Sequence, residues 1–329
     1  MNDNLEFSDA GQRAATATAH PNIAVSKYWG KRDSPLNLPA VPSVSLTVAP
    51  FQTTTTVVWG VEADEVQLNG VEADKGTRRK VLQTLSRIDP GRPPCRVISN
   101  NNFPTAAGLA SSSSGLAALV LAGAAAARRE LSPAQASVLA RQGSGSACRS
   151  IFGGWALWRL GEREDGTDCH AEAIAPPEHW EVRMVVALVA RGRKAHLSTD
   201  AMLHSAATSP YHPAWVAQSP AEIEPMCEAI RARDLEAVGQ LMERSTLRMH
   251  AAMMASDPPL LYWAPGTLAA MELVHELRRR GVGAWYTMDA GPNVKILCAG
   301  EDAPGVAAAV ETLMPSVTLS PGPGARVVS

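Results

Sequence analysis

Residues 100–115, Asn-Asn-Asn-Phe-Pro-Thr-Ala-Ala-Gly-Leu-Ala-Ser-Ser-Ser-Ser-Gly, constrain this chain more than any other stretch. Pro104 and Gly108 break the backbone, four serines follow, and Leu116 to Arg129 is an Ala/Leu-rich run that reads as a helix. A small-residue loop running into a helix start offers unpaired N–H groups and a partial positive charge, which together accept phosphate oxygens. Serine hydroxyls at that point add donors, or an oxygen ligand for Mg²⁺. The stretch has neither the Gly-Lys-Ser/Thr of a Walker loop nor the Gly-x-Gly-x-x-Gly of a dinucleotide fingerprint. A capped helix whose small residues only let it pack closely explains the same residues, so this segment alone leaves both readings open.

At 329 residues the chain exceeds what one core usually serves. Two domains are expected, 1–180 and 181–329, divided near Ala175-Pro176-Pro177. The first dozen residues are polar and lack the apolar core of a secretory signal, and residues 1–13 are expected to be disordered. Residues 14–26, 43–49, 53–59, 95–99 and 155–160 read as strands, and 76–88 and 133–142 as helices, with Ser132 as N-cap. In the second half 182–190, 284–287 and 294–298 read as strands, and 223–233, 235–256 and 266–280 as helices. Ser320-Pro-Gly-Pro-Gly reads as a loop. Strands and helices mixed in both halves make the fold class α+β rather than a doubly wound sheet.

Thirty Lys and Arg against 32 Asp and Glu leave a net charge of −2. Without a global basic field, nucleic acid and acidic membrane surfaces are not expected partners, and an anionic ligand must be met by local cations. The longest apolar run, Leu116 to Ala127, is too short to span a bilayer. Five scattered cysteines with no Cys-x-x-Cys pair argue against a disulfide framework or structural zinc, and for a reducing, cytoplasmic setting.

Three further stretches carry chemistry. His20 to Asp33 places Lys27, Lys31 and Arg32 within six residues, beside Tyr28 and Trp29. Such cations suit a polyanion, because desolvating phosphate without paired charge is costly, and the two aromatics sit too close to charge for ordinary strand core. Gly143-Ser-Gly-Ser-Ala-Cys-Arg-Ser can form a backbone anion nest with the Arg149 guanidinium beside it. Asp289 follows an apolar strand and precedes Gly291-Pro292. A solvated basic turn, a flexible turn and an Asx-turn are the plainer explanations of these three in isolation. Met249, His250, Met253 and Met254 lie at helical spacing and read as packing.

Taken together, Asn22-Ile-Ala-Val-Ser-Lys-Tyr-Trp-Gly-Lys, Pro104-Thr-Ala-Ala-Gly-Leu-Ala-Ser-Ser, Gly143-Ser-Gly-Ser-Ala-Cys-Arg-Ser and Met288-Asp-Ala-Gly-Pro-Asn resemble the diphosphomevalonate decarboxylase family of the GHMP kinase superfamily. The blocks stand in the family's order over residues 20–295. The resemblance implies a ribosomal-S5-like N-terminal domain, a ferredoxin-like C-terminal domain and a homodimer. It implies ATP with Mg²⁺ as cofactors and 5-diphosphomevalonate as the small-molecule substrate. The 3-hydroxyl would be phosphorylated, and loss of phosphate and CO₂ would give isopentenyl diphosphate.

By the same resemblance Asp289, Lys27 and Arg149 are the catalytic residues. Tyr28, Trp29, Gly30, Lys31, Ser144, Gly145, Ser146, Ala147, Cys148, Arg149 and Thr199 would bind substrate. Pro104, Ala107, Gly108, Leu109, Ser111 and Ser112 would bind ATP, with no dedicated metal site and Mg²⁺ arriving with the nucleotide near Ser112. The chain departs from the family pattern at Val41-Pro42-Ser43, Lys194-Ala195-His196 and Ala201-Met202, and Arg78 or Arg79 is only a loose counterpart of an arginine that some members carry. These departures touch the substrate side. A 5-phosphomevalonate decarboxylase and a mevalonate-type 3-kinase without decarboxylation are therefore the rival expectations.

Overall fold

A computed structural model describes residues 13–103, 111–190 and 198–329. The expected disorder over 1–13 falls outside these residues except for Arg13, which begins a strand.

Two sheets organise the described residues. The first runs in the order Arg326–Val327, Arg13–Ala19, Thr53–Trp59, Cys95–Asn101, Glu65–Leu68, Val71–Glu72. Thr53–Trp59, a β-branched run, takes its centre. The helix Ser111–Ala126 covers one face and is apolar all round, so it is buried rather than amphipathic. Its small residues permit the approach: a Cβ on Gly123 would lie 2.5 Å from Leu85 Cδ2. The helix begins five residues before the expected Leu116, because its serines find partners inside the fold; Ser114 Oγ lies 2.7 Å from Thr53 Oγ1.

The second sheet runs Ala171–Ala175, Trp155–Trp158, Ser43–Ala49, Ser316–Pro321, Val182–Ala187, Val294–Ala299, Ala284–Met288, with Asn22–Ser26 also paired to Ser43–Ala49. The break expected near 175–181 lies between two of its strands, yet the sheet itself continues across residue 180. The helix Leu235–Met254 packs beneath Ala284–Met288 and Asn22–Ser26, with Met249, His250 and Met253 buried as expected. This architecture is α+β.

Two expectations are corrected. The strand read over 14–26 is two strands in different sheets, Arg13–Ala19 and Asn22–Ser26; the chain changes sheet at Pro21, which has no N–H to give a ladder. The loop read at Ser320-Pro-Gly-Pro-Gly is only partly a loop: Ser316–Pro321 is a strand and Arg326–Val327 pairs with Arg13–Ala19. The glycines there permit close backbone approach, a Cβ on Gly324 meeting the Ile151 carbonyl at 2.7 Å.

Candidate active site

Asp289 is the first residue of the loop joining Ala284–Met288 to Val294–Ala299. That loop is pinned at its far end: Thr267 Oγ1 donates to the Pro292 carbonyl at 2.7 Å, and Asn293 Oδ1 accepts from Ala190 N–H at 3.1 Å. Lys27 follows Asn22–Ser26 directly, its N–H donating to Ser245 Oγ at 2.9 Å and its ammonium to the Ala24 carbonyl at 3.0 Å. Residues 262 positions apart meet here. Lys27 Nζ lies 2.8 Å from Asp289 Oδ1, and Lys295 Nζ lies 2.9 Å from Oδ2.

Both lysine side chains are essentially inaccessible, at 1% and 2%, while Asp289 keeps 30% of its side chain exposed. The carboxylate is thus held from behind and open in front. Burial alone would raise its pKa, but the two ammonium groups outweigh burial and keep it well below the usual carboxylate range. Burial pushes Lys27 down to about 8, with Asp289 opposing the shift and Lys295 and Arg149 adding to it.

Arg149 lies in the 3-10 helix Gly145–Ile151 and is fully buried. It donates to Ser43 Oγ at 2.6 Å, Ser45 Oγ at 3.0 Å and Asn22 Oδ1 at 3.2 Å, and its guanidinium lies 5.7 Å from the Trp158 ring centroid. Among the described residues no carboxylate forms an ion pair with it. Two ammonium groups grip one carboxylate, and the Arg149 guanidinium adds positive charge to the same surroundings, an arrangement short of negative charge.

The remaining expected site residues separate by environment. Ser112 Oγ lies 3.5 Å from Ser144 Oγ, which joins the serine-rich helix start to the 143–150 segment. Ser111 and Ser112 line a cavity of about 230 Å³ with Thr53, Asn69, Lys80 and Asn101. Lys31 Nζ donates to Asn37 Oδ1 at 2.6 Å and to Thr199 Oγ1 at 3.3 Å, so the expected Lys31 and Thr199 are brought together. Tyr28 is half-buried against Trp158, ring centroids 4.8 Å apart, and its buried hydroxyl has no hydrogen-bond partner among the described residues. A Cβ on Gly145 would sit 2.8 Å from that hydroxyl. Ala147 and Cys148 bury their side chains and Ser146 is partly exposed. Pro104, Ala107, Gly108 and Leu109 lie outside the described residues, as do Lys194, Ala195 and His196.

The reading of Trp29 as too close to charge for core is corrected. Its side chain is 2% exposed, among Val41, Met202, Trp215 and Met253, and Trp215 Nε1 donates to its carbonyl at 3.0 Å. Apart from Val41, this apolar lining comes from the far half of the chain. Gly30, next in sequence, has φ +101°, and a Cβ there would lie 2.7 Å from His212 Nε2. Gly30→Ala is expected to cost about 1–3 kcal/mol of stability and to displace Lys31. Urea unfolding checks this, and an unchanged midpoint refutes it.

Sequence reasoning passed over Lys295, Asn22, Ser43, Ser45 and Ser245. A signal for Lys295 exists: it interrupts an otherwise apolar strand, Val-Lys-Ile-Leu-Cys-Ala, and a lysine in a buried strand needs an anion. The serines carry no local signal.

Known proteins resemble this chain over most of its length. Residues 19–171 match the model of the diphosphomevalonate decarboxylase-like N-terminal domain, and residues 184–321 that of the mevalonate 5-diphosphate decarboxylase C-terminal domain. The diphosphomevalonate decarboxylase of Aspergillus fumigatus is 41% identical, the match covering 93% of this chain and 82% of that protein. The chain belongs to the diphosphomevalonate decarboxylase family. The human diphosphomevalonate decarboxylase is 39% identical over 86% of this chain and 76% of its own length. The solved structure of MDDEF in complex with MVAPP, AMPPCP and magnesium superposes with a TM-score of 0.90 at 37% identity, covering 97% of this chain and all (100%) of that one. At the departure Val41-Pro42-Ser43, Ser43 Oγ accepts a hydrogen bond from the Arg149 guanidinium. Arg78 donates to the Asp64 carbonyl at 2.6 Å.

Proposed function

We propose that this protein catalyses the ATP-dependent decarboxylation of 5-diphosphomevalonate to isopentenyl diphosphate, with Asp289, Lys27 and Arg149 as its catalytic residues. The observation that carries the assignment is a carboxylate gripped by two buried ammonium groups, with a buried guanidinium acting on it that pairs with no carboxylate among the described residues. Hydroxide is a poor leaving group. Phosphorylating the tertiary 3-hydroxyl gives one that can depart, and the carboxylate then supplies its electron pair to the electron-poor carbon as CO₂ leaves.

Asp289 is held so far below ordinary carboxylate basicity that it serves better to orient the hydroxyl than to remove its proton early. Phosphoryl transfer through a loose transition state needs little base and much positioning. Lys27 neutralises charge on the transferring group, and Arg149 receives the substrate carboxylate. Lys31, Thr199, Tyr28 and the 144–148 backbone position the diphosphate and the substrate body. The hydroxyl, amide and ammonium groups of the cavity beside Ser111 and Ser112 fit a nucleotide, with Lys80 at its wall. Mg²⁺ bound with the phosphates would neutralise charge there. The buried, unpaired cysteines support a reducing, cytoplasmic setting. The homodimeric state rests on the family resemblance, and light scattering tests it.

The decisive experiment measures ADP and CO₂ released from Mg-ATP with mevalonate, 5-phosphomevalonate or 5-diphosphomevalonate. Equal release with the diphosphate alone is the expected result. Equal release with the monophosphate would transfer the enzyme to that substrate, and ADP without CO₂ would make it a kinase. A pH dependence follows from Lys27. Above about 8 its ammonium loses the proton that neutralises the phosphoryl group, so kcat/KM, which reports the free enzyme, falls there. A profile flat to pH 10 contradicts this role.

A further inference from the structure

Asp289 holds one ammonium on each oxygen, and the proposed reaction needs one of them elsewhere. The two lysines are mounted differently. Lys295 lies inside Val294–Ala299, paired in register with Val186 on one side and Thr287 on the other, so its backbone is fixed by a strand on each flank. Lys27 stands just past the end of its strand, where pairing stops at Ser26. We propose that Lys295 is the standing counter-ion of Asp289, allowing Lys27 to turn to the transferring phosphoryl group without stranding a buried charge. Lys295 acts through Asp289 and Lys27 and is a positioning residue. The inference rests on the role given to Lys27 above.

The electrostatics of the cluster agree. With Asp289 paired to Lys27 alone, every step of Lys27 toward phosphate would leave a carboxylate uncompensated against apolar strands, a costly state. The second ammonium removes that penalty, and its repulsion loosens Lys27. The other charged group acting on Lys27 is Arg149, which adds positive charge. His250, packed behind on Leu235–Met254, accepts a hydrogen bond at Nδ1 from Trp263 Nε1 at 3.0 Å, which requires a neutral ring. Burial and the adjacent lysines hold its pKa down to about 3, so it does not titrate where the enzyme works.

The test compares the wild type with Lys295→Met and Lys295→Arg. Lys27 is followed by NMR titration of protein carrying ¹³C,¹⁵N-labelled lysine, its signal assigned by Lys27→Arg. Losing a like charge and leaving Asp289 to Lys27 alone both raise the Lys27 pKa, by about one unit or more in Lys295→Met. In turnover, the alkaline limb of kcat/KM moves up with it, kcat falls by about 10²-fold and KM changes little. Lys295→Arg restores most of kcat and the limb. A purely structural role would lower kcat in both variants and leave the limb in place. An unmoved or lowered Lys27 titration, or wild-type kcat in Lys295→Met, overturns the proposal. Melting curves check folding, and Lys295→Gln replaces Met if that variant does not fold. Absence of wild-type turnover bears on the proposed reaction, whereas the titration reads the ion cluster directly.

Discussion

Asp289→Asn lowers kcat by about 10³-fold or more, at the upper part of what a positioned acid–base group supplies. The amide keeps the shape of the carboxylate but presents an NH₂ to one of two ammonium groups now 2.8 and 2.9 Å away, so the group that orients the substrate hydroxyl is itself displaced. Single-turnover ADP formation measures the effect without interference from product release. A rate within about tenfold of wild type would remove Asp289 from the chemistry. The same substitution removes the counter-charge that opposes the downward shift of Lys27, already at about 8 in the wild type. In the variant the folded-state pKa of Lys27 falls further, so just below pH 8 the folded variant binds fewer protons than the folded wild type. The variant should therefore gain melting temperature relative to wild type as pH climbs toward about 8, and the difference should level off above it. A constant difference on both sides of pH 8 would show that Lys27 does not depend on Asp289.

Arg149→Met lowers kcat/KM by about 10²–10³-fold, the effect of removing one partner from a desolvated charge pair. Methionine fills much of the volume but leaves Ser43, Ser45 and Asn22 without their shared donor and gives the substrate carboxylate no counter-ion. Arg149→Lys rescues only partly. A single ammonium cannot reach the three oxygens that orient the guanidinium and still receive a carboxylate in its fork. The discriminating measurement is binding of a substrate analogue lacking the carboxylate. Wild type and Arg149→Met should bind it alike, and a loss as large as that for the substrate would assign Arg149 a structural role alone. Circular dichroism at the assay temperature confirms that the variant is folded.

Much of the site was legible because its chemistry is written in short contiguous blocks. The serine run leads into an Ala/Leu-rich helix, Asp289 sits beside a Gly-Pro turn, and Lys27 and Lys31 flank two aromatics. Each needs only local backbone conformation to be presented. Reading failed where a residue's partners lie far along the chain. Trp29 looked too close to charge for core until Trp215, Met202 and Met253 enclosed it. Ser43 and Ser45, two ordinary strand residues, gained a purpose only when Arg149 arrived from 106 and 104 positions away. The tail that reads as Pro-Gly loop joins both sheets, as an inner strand of one and an edge strand of the other, because its glycines allow backbones to touch.

Residue order along the chain was enough to read an Ala/Leu-rich helix after the serines, the mixed α+β class and the family. Folding in three dimensions alone established that Asp289 stands between two lysines, one of them 262 residues distant, and that Arg149 is fixed by neutral oxygens rather than a carboxylate. The physical reason is range. Backbone propensity and turn chemistry act over a few residues, whereas the strength and direction of a charge depend on which groups share its dry surroundings, and strand pairing across the whole chain chooses those groups.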